Sequence, residues 1–520
     1  MENRQTEAAW AYHDATKHSY QSIRAKPHHL DWDNQPLPFK IYKNLPPIPL
    51  PQNLSASGMP ALTAISITPR AAPSEVRPNL QTLAEIFYFS AGITKRRSYA
   101  GGEMLFRAAA CTGALYHIDL YLVCGDVEGL DAGVYHFSPQ DFSLRQLRQG
   151  DYRSALVQAT CEEPAISEAS CVIASVSTFW RNAWKYQARA YRHCYWDNGT
   201  ILANLLAASA ARNIPAKVVL GFVDATASQL LALDAQREAP LSLVALGRSP
   251  EKRITLSPPI EPLVFETVPL SKSEIDYPEM RRMHEASSLQ SVEEVAAWRR
   301  REEANSKTTK EDGKREDRLF PLHSLSAEEL PDDSIEKVIT RRGSTREFSR
   351  DPITFAELSS MLDRATRGVT TDILSAEETL NDPYLIVHAV EGLPSGAYVF
   401  RRQQRALELL KPGDFRRDAG HLGLGQEIPA DCSVNIYFLA DLHRILERYG
   451  NRGYRAAQLE AAIMGGRIYL AAYAQRLGAS GLTFFDDDVT EFFSPDAAGK
   501  SVMFLIAVGK SAKRKNWSVT

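Results

Sequence analysis

Short apolar runs predict β-strands at matching places in two halves of the chain. IDLYLVCG, from Ile118, and YLIVHAV, from Tyr384, are rich in β-branched and apolar residues, as buried strands are. A second apolar run follows each of these strands after a turn, which predicts a hairpin; these runs are LDAGVYHF and LPSGAYVF. A buried strand is also predicted near the end of each half, at LSLVALG and SVMFLIAVG.

Two long segments predict helices that are buried on most faces. They are DNGTILANLLAASAARN, from Asp197, and AAIMGGRIYLAAYAQRLG, from Ala461. A helix that is apolar all round belongs in a core or an interface. The elements together predict an α+β sandwich with a central buried helix in each half.

The two halves share motifs at one constant spacing. WKYQARAYRH, from Trp184, and RYGNRGYRAA, from Arg448, both contain Y-x-x-R-x-Y-R, and Tyr186 lies 263 positions before Tyr449. The first strands of the two halves align at the same spacing, as do GFVD and FFDD, which end at Asp224 and Asp487. A common spacing across separated blocks predicts a tandem duplication of one domain.

Composition narrows the class of protein. The chain has 520 residues, 60 Lys and Arg against 63 Asp and Glu, and a net charge of −3, which predicts no nucleic-acid binding. No apolar run is long enough to span a membrane, and the polar start MENRQTEAAW lacks an apolar signal core. The six cysteines form no C-x-x-C pair. This favours free thiols, no metal site and a cytoplasmic location.

Breaks in these patterns predict four regions. Residues 1–77 form an extended or irregular arm, since QPLPFKIYKNLPPIPLP has too many prolines for a helix interior or a central strand. A first domain covers 78–250 and a second covers 331–520. Between them, 251–330 form a linker that includes a surface helix, SVEEVAAWRRREEA, and the charged segment SKTTKEDGKREDR.

Several motifs resemble the nitroreductase-like FMN flavoproteins, and more narrowly their SagB-type dehydrogenase branch, which includes azoline oxidases. YHDATKH, LDWDNQPLPFKIY, CTGALYHIDLYLV and WKYQARAYRH are similar to the first half of SagB-type proteins, and RRGSTREFSRDPITFAELSSML to the start of nitroreductases. The resemblance implies two tandem nitroreductase-like α/β sandwich domains. Because such proteins are usually homodimers with FMN at the subunit interface, it also implies an intramolecular pseudo-dimer around long buried helices, and allows a further homodimer.

The two halves carry different parts of the family's flavin site. The small-residue loop CTGALYH lies in the first half, whereas the second reads ILSAEETLNDP at that place. Only the second half has the R-R-G-S-x-R segment. The intact parts combine into one site, which predicts one noncovalent FMN per chain.

The cofactor-binding candidates follow from that division. Arginine forks and a hydroxyl suit a phosphate, although a solvated basic turn is the alternative. The loop suits close approach to a flat ring, although an ordinary tight turn has the same residues, and its cysteine is interpreted as a packing residue. The candidates are Arg341, Arg342, Ser344 and Arg346 for the phosphate, Gly509 and Lys510 as weaker ones, and Cys111, Thr112, Gly113 and Ala114 for the ring.

The catalytic candidates are Lys185 and Tyr186, which match the lysine–tyrosine pair of SagB-type azoline oxidases. Adjacent residues do not share a helix face, so both reach one substrate only where the helix begins or is irregular. Acting as a base near neutrality requires a lowered pKa, for which Arg189 and Arg192 are cations near in sequence. A buried structural tyrosine is the alternative for Tyr186.

Three functions remain open at this stage. The first is FMN-dependent dehydrogenation of a small molecule or peptide, with azolines as a candidate substrate. The second is NAD(P)H-dependent reduction of nitro compounds or quinones on the same fold, although no G-x-G-x-x-G fingerprint lies between a strand and a helix. The third is a degenerate pseudo-dimer that binds a peptide without catalysis.

Overall fold

The structure is a computed structural model of the chain. It describes residues 2–25, 28–67, 75–99, 102–249, 257–300, 318–326, 328–375 and 377–512. Most of the predicted charged segment SKTTKEDGKREDR lies outside the described residues.

The elements are numbered here in chain order. The strands are β1 (Pro47–Pro49), β2 (Ile93–Tyr99), β3 (Gly102–Arg107), β4 (Ile118–Cys124), β5 (Gly133–Ser138), β6 (Ser143–Gln149), β7 (Cys171–Thr178), β8 (Ala216–Val219), β9 (Glu238–Leu246), β10 (Leu319–Pro321), β11 (Ile353–Thr354), β12 (Asn381–Val387), β13 (Val390–Glu391), β14 (Gly396–Arg401), β15 (Ala406–Pro412), β16 (Val434–Ala440), β17 (Gly478–Leu482) and β18 (Ser501–Gly509). The α-helices are α1 (Glu7–Ala15), α2 (Tyr20–Ala25), α3 (Ala61–Ala64), α4 (Leu80–Ala91), α5 (Arg153–Ala159), α6 (Pro164–Glu168), α7 (Phe179–Tyr186), α8 (Ala190–Ala211), α9 (Asp224–Leu230), α10 (Pro278–Ala286), α11 (Val292–Arg299), α12 (Ile335–Arg341), α13 (Phe355–Ala365), α14 (Arg416–Leu422), α15 (Glu427–Asp431), α16 (Leu442–Tyr449), α17 (Asn451–Ala474) and α18 (Asp486–Phe493).

Two large sheets with the same strand order organise the fold. Within the described residues each has seven strands, ordered β1-β6-β5-β4-β7-β9-β8 and β10-β15-β14-β12-β16-β18-β17. Neighbouring strands are antiparallel in both sheets. The predicted strands form where the apolar runs lie, and the mixed α+β fold with two sandwiches is confirmed. Strands β4, β7 and β16 are buried along their whole length, since helices cover both faces of the sheets.

The two long helices, α8 and α17, pack against each other at the centre. Gly466 faces Ala203, and an added Cβ would lie only 2.6 Å from the Ala203 Cβ. Gly199 faces Ala462 in the same way. Each of these residues lies 263 positions from the residue it contacts, as expected for positions on a two-fold axis. The small residues let the two helix backbones approach closely.

Both helices begin earlier than predicted. The prediction started the first at Asp197 and the second at Ala461, but α8 begins at Ala190 and α17 at Asn451. The extra turns carry Arg192, Arg452 and Arg455, and Arg189 lies in a 3-10 turn just before α8. Sequence reasoning treats such arginines as poor core residues. They are helical because each finds a buried partner, described below.

The region before the first domain is less irregular than predicted. It contains α1, α2 and α3, so the expectation of an extended arm is wrong for these segments. Pro47 and Pro49 lie on β1, an edge strand that pairs with β6, as prolines require. Asn3 and Arg4, at the start of the arm, donate hydrogen bonds to the carbonyl oxygens of Tyr449 and Arg448.

The predicted surface helix is present as α11, and one of its faces is buried against the rest of the protein. Trp298 is 2% exposed, and its indole N–H donates to the carbonyl of Tyr449 at 2.8 Å. Arg299 pairs with Asp372 at 2.8 Å. The segment predicted to be a linker therefore contacts both halves of the chain. The domain bounds themselves stay a prediction.

No helix among the described residues is both long enough and apolar enough to cross a lipid bilayer.

Candidate active site

The candidate catalytic pair lies at a break between two helices. Helix α7 ends at Tyr186, and Gln187 has a φ of 51°, a value that favours glycine. Gly450 occupies the matching break between α16 and α17, with a φ of 62°. The irregularity that the sequence analysis required for Lys185 and Tyr186 is thus present. The Lys185 ammonium lies 5.5 Å from the centroid of the Tyr186 ring.

The repeated arginines form ion pairs between the halves. Arg189 and Arg192 contact the carboxylate of Asp486 at 3.0 and 2.6 Å. Burial acts to raise the pKa of Asp486, but the charges of the two arginines outweigh it and lower the pKa to about 2. The expectation that these arginines lower the pKa of Tyr186 is wrong, because that pKa is raised and both arginines pair with Asp486.

The second half mirrors this arrangement. Arg452 and Arg455 contact Asp224 at 2.6 and 2.8 Å. The structural counterpart of Asp224 is therefore Asp486. The alignment that paired Asp224 with Asp487 is wrong by one residue, since Asp487 has an exposed side chain that meets only Lys17 in the ion pairs of the described chain.

The small-residue loop is held by one carboxylate from α8. Asp197 accepts hydrogen bonds from the backbone N–H and hydroxyl of Thr112 at 2.9 and 2.7 Å and from the Cys111 thiol at 3.0 Å. His117 Nε2 lies 2.9 Å from the same carboxylate, and its Nδ1 lies 2.9 Å from the Ser177 hydroxyl. Cysteine, histidine and aspartate are metal-ligand types, but these separations are hydrogen-bond lengths.

Electrostatics fits the interpretation of Cys111 as a packing residue. Burial raises the pKa of its thiol, and the negative charge of Asp197 raises it further. A reactive cysteine needs the opposite environment.

The arginine segment of the second half lies against this loop of the first. The Arg342 guanidinium donates to the carbonyl oxygen of Ala108 at 2.9 and 3.0 Å and to that of Arg107 at 3.2 Å. Arg341 pairs with Asp333 at 2.8 Å and donates to the carbonyl of Tyr473 at 2.6 Å. The structure thus brings together the two motifs that the sequence analysis combined. It also gives both arginines protein partners that sequence reasoning did not foresee.

Gly113 and Tyr186 meet where the two motifs converge. Gly113 has a φ of 65°, and an added Cβ would lie 2.8 Å from the Tyr186 hydroxyl. Burial raises the pKa of Tyr186 and the charge of Asp197 adds to this, while the positive charge of Arg346 opposes it. Tyr186 is therefore a protonated phenol near neutrality, and the exposed Arg346 lies within electrostatic reach of it.

The remaining candidates lie at the edges of this region. Ser344 is within 3.3 Å of the Tyr469 hydroxyl. The carbonyl of Lys510, which follows β18, accepts from the backbone N–H of Ser349 at 2.9 Å, so Gly509 and Lys510 lie beside the arginine segment. Ala114 has a φ of 55°, next to the glycine.

Sequence reasoning missed Asp197, His117 and Asn182, the residues that connect the loop to α7 and α8. One signal was available. Asp197 is the carboxylate that begins the predicted helix, and the position 263 residues later is Glu460; both carboxylates are buried. A buried carboxylate needs donors, and that requirement points to a polar site.

Comparisons with known proteins agree with the fold. Residues 339–510 match the model of the nitroreductase family. A Methanocaldococcus jannaschii protein with a provisional nitroreductase name is 24% identical over 172 residues, which are 33% of this chain and 82% of that protein. The crystal structure of an Anabaena variabilis protein, provisionally named a nitroreductase, superimposes on this chain with a TM-score of 0.77 at 25% sequence identity. The superposition covers 97% of this chain and 99% of the Anabaena variabilis chain.

The second half thus carries a nitroreductase-family domain. The Anabaena variabilis structure spans both halves, so the two-sheet architecture as a whole has a solved counterpart.

Proposed function

We propose that this chain is an FMN-dependent oxidoreductase with one flavin site at the junction of its halves. The observation that carries the proposal is the contact of Arg342, from the nitroreductase-family domain, with the carbonyls of Arg107 and Ala108. This contact holds the R-R-G-S-x-R segment beside the small-residue loop. We also propose that the two halves arose by tandem duplication, which their equal strand order supports.

The donor chemistry fits a flavin phosphate. Arg341, Ser344, Arg346 and Lys510 supply guanidinium, hydroxyl and ammonium groups, which bind phosphate oxygens well. Among the described residues, the buried Nε of Arg341 has no hydrogen-bond partner. That N–H would hold a phosphate oxygen, with Asp333 retaining the other face of the guanidinium.

The ring end of the proposed site is the loop at Gly113. A bound flavin would exchange a hydride equivalent with the substrate. The loop backbone would approach the ring closely, because residue 113 has no side chain. Tyr186 would orient the reacting group by donating a hydrogen bond from its phenol, since burial keeps the phenol protonated. Lys185 would hold or receive a proton beside it.

The direction of the reaction separates two versions of this function. In the first, the protein is a SagB-type dehydrogenase that oxidises a small molecule or an azoline in a modified peptide. In the second, it reduces nitro compounds or quinones with electrons from NAD(P)H. The raised pKa of Tyr186 counts against this residue as the base of the first version, because a phenol that stays protonated is a poor base.

Flavin content tests the proposal first. Purified protein should be yellow, and flavin released by heat should be FMN at one equivalent per chain. Arg341→Ala with Arg342→Ala should remove about 1.5–3 kcal/mol per charge-assisted hydrogen bond and yield a folded, mostly colourless protein. Arg444→Ala, an exposed arginine on α16, is the control. Two flavins per chain, FAD, or full retention in the double variant would contradict the site assignment.

The role of Lys185 is tested by a matched pair of variants. Lys185→Ala should keep its flavin and its melting temperature and lose about 100- to 10,000-fold in turnover, as a lost proton-transfer group does. Arg448, the matching residue of the second half, stands over Tyr449 as Lys185 stands over Tyr186. Arg448→Ala should leave turnover nearly intact. Equal losses in the two variants would show that the lysine supports structure.

A further inference from the structure

A buried histidine lies behind the candidate tyrosine without a complete set of hydrogen bonds. His193, on α8, is 1% exposed. Its ring packs edge to face against Tyr186 at 4.6 Å and lies 4.8 Å from the Trp196 ring. Its Nδ1 lies 2.8 Å from the Asn182 side-chain oxygen. Its Nε2 is buried and has no partner among the described residues.

The neighbours of the ring fix its tautomer. The Asn182 amide nitrogen donates to the carbonyl of Thr112 at 3.4 Å, so the amide oxygen is the atom that faces His193. An amide oxygen only accepts, hence Nδ1 carries the proton. Burial lowers the pKa of His193, and the positive charge of Arg189 lowers it further. The ring is therefore neutral, with a bare lone pair on Nε2.

The second half does not repeat this arrangement. The positions 263 residues after Asn182 and His193 are Ile445 and Ala456. The duplicated architecture is thus built without these two polar residues. They occur only in the half that carries the glycine loop, although an unpartnered acceptor in a buried site destabilises the protein.

We propose that Nε2 of His193 accepts a hydrogen bond from an amide N–H of the ligand that this site binds. The proposal rests on the proposed function and deepens it by naming the substrate chemistry. Peptide bonds and the carboxamide of a nicotinamide both carry such an N–H. Nitroarenes and quinones carry only acceptors, so they leave the lone pair unpaired. Because Nε2 is buried, the proposal requires the half-buried Tyr186 ring, which packs on His193, to move aside when a ligand binds.

Three small amides of similar shape test the proposal by calorimetry on the protein as purified. Benzamide has the primary amide of a nicotinamide, N-methylbenzamide the single N–H of a peptide bond, and N,N-dimethylbenzamide no N–H. The wild-type protein should bind the third about tenfold or more weakly than the better of the first two. Preference for the secondary amide points to a peptide, and preference for the primary amide to a nicotinamide.

Variants of the histidine isolate the acceptor. His193→Phe keeps a ring and removes the nitrogen, so it should bind the three amides equally. His193→Gln restores an acceptor and should regain part of the preference. His443→Phe, at an exposed histidine of α16, should behave as wild type. Equal binding by the wild-type protein, or a preference that survives in His193→Phe, overturns the proposal.

A measurement on the wild-type protein covers the case in which these variants do not fold. Nitrogen NMR of histidine-labelled protein should show His193 protonated on Nδ1, with an Nε2 resonance that moves when the preferred benzamide is added. A proton on Nε2, or an Nε2 already bonded to a fixed water and unmoved by the amides, refutes the proposal. Flavin content is measured separately, so a colourless protein would count against the proposed function and not against the histidine.

Discussion

Replacing Asp486 with asparagine should destabilise the protein strongly. The carboxylate is 3% exposed and contacts two arginines whose side chains are 4% and 0% exposed. It also accepts the backbone N–H of His18 at 2.8 Å. Asparagine keeps the shape and removes the charge, which leaves two buried cations without a counterion. Breaking a buried pair in this way costs about 3–5 kcal/mol.

The control for Asp486→Asn is the adjacent position. The Asp487 side chain is 76% exposed, and its contact with Lys17 is solvated, so Asp487→Asn should cost less than about 1 kcal/mol. Urea unfolding followed by circular dichroism, compared at the first transition, measures both changes. A larger effect at Asp487, which the sequence alignment favours, would refute the reasoning from burial, and so would a loss below about 1 kcal/mol at Asp486.

The pH dependence gives a second test of Asp486. Its pKa in the folded protein, about 2, lies below its ordinary value of 3.8. A lowered carboxyl pKa stabilises the fold above the ordinary value, and this stabilisation is lost as the pH falls through the folded value. The stability difference between wild type and Asp486→Asn should therefore be constant near neutrality and shrink as the pH falls from 3.8 to about 2.

Three further outcomes are expected. Gly113→Ala should lose flavin and turnover, because its Cβ meets the Tyr186 hydroxyl, whereas Gly499→Ala, also at positive φ but with nothing within 4 Å, should keep both. Gln187→Gly should raise the free energy of unfolding by about 1–3 kcal/mol through relief of backbone strain, and no gain in a urea titration would contradict this. Burial raises the pKa of Glu460 from 4.5 to about 7. A raised carboxyl pKa stabilises the fold at low pH, so the free energy of unfolding of the wild type should fall by up to about 3 kcal/mol as the pH rises through that range. The Glu460→Gln variant should show no such fall. A pH-independent difference between these last two proteins would refute the assignment.

The main strands and the correspondence between the two halves could be predicted from the sequence alone. The strands β9 and β18, for example, span residues that lie 263 positions apart at both ends. Burial of a strand is written locally, in consecutive apolar residues, so its position is readable without the fold. The conformation of Gly113 is local as well, and the prediction that its loop meets the arginine segment agrees with the position of Arg342.

The partner of each buried charge could not be predicted from the sequence and became known from the folded arrangement. Asp486 and Asp487 are equivalent in any local pattern, yet one neutralises two buried arginines and the other faces solvent. Arg189 is near Lys185 in sequence, but its guanidinium pairs with Asp486 in the other half of the chain. A charge is stabilised by whatever lies within a few ångströms in the folded protein. In this chain that neighbour can lie far away in sequence, since 297 positions separate Arg189 from Asp486 and 228 separate Arg452 from Asp224.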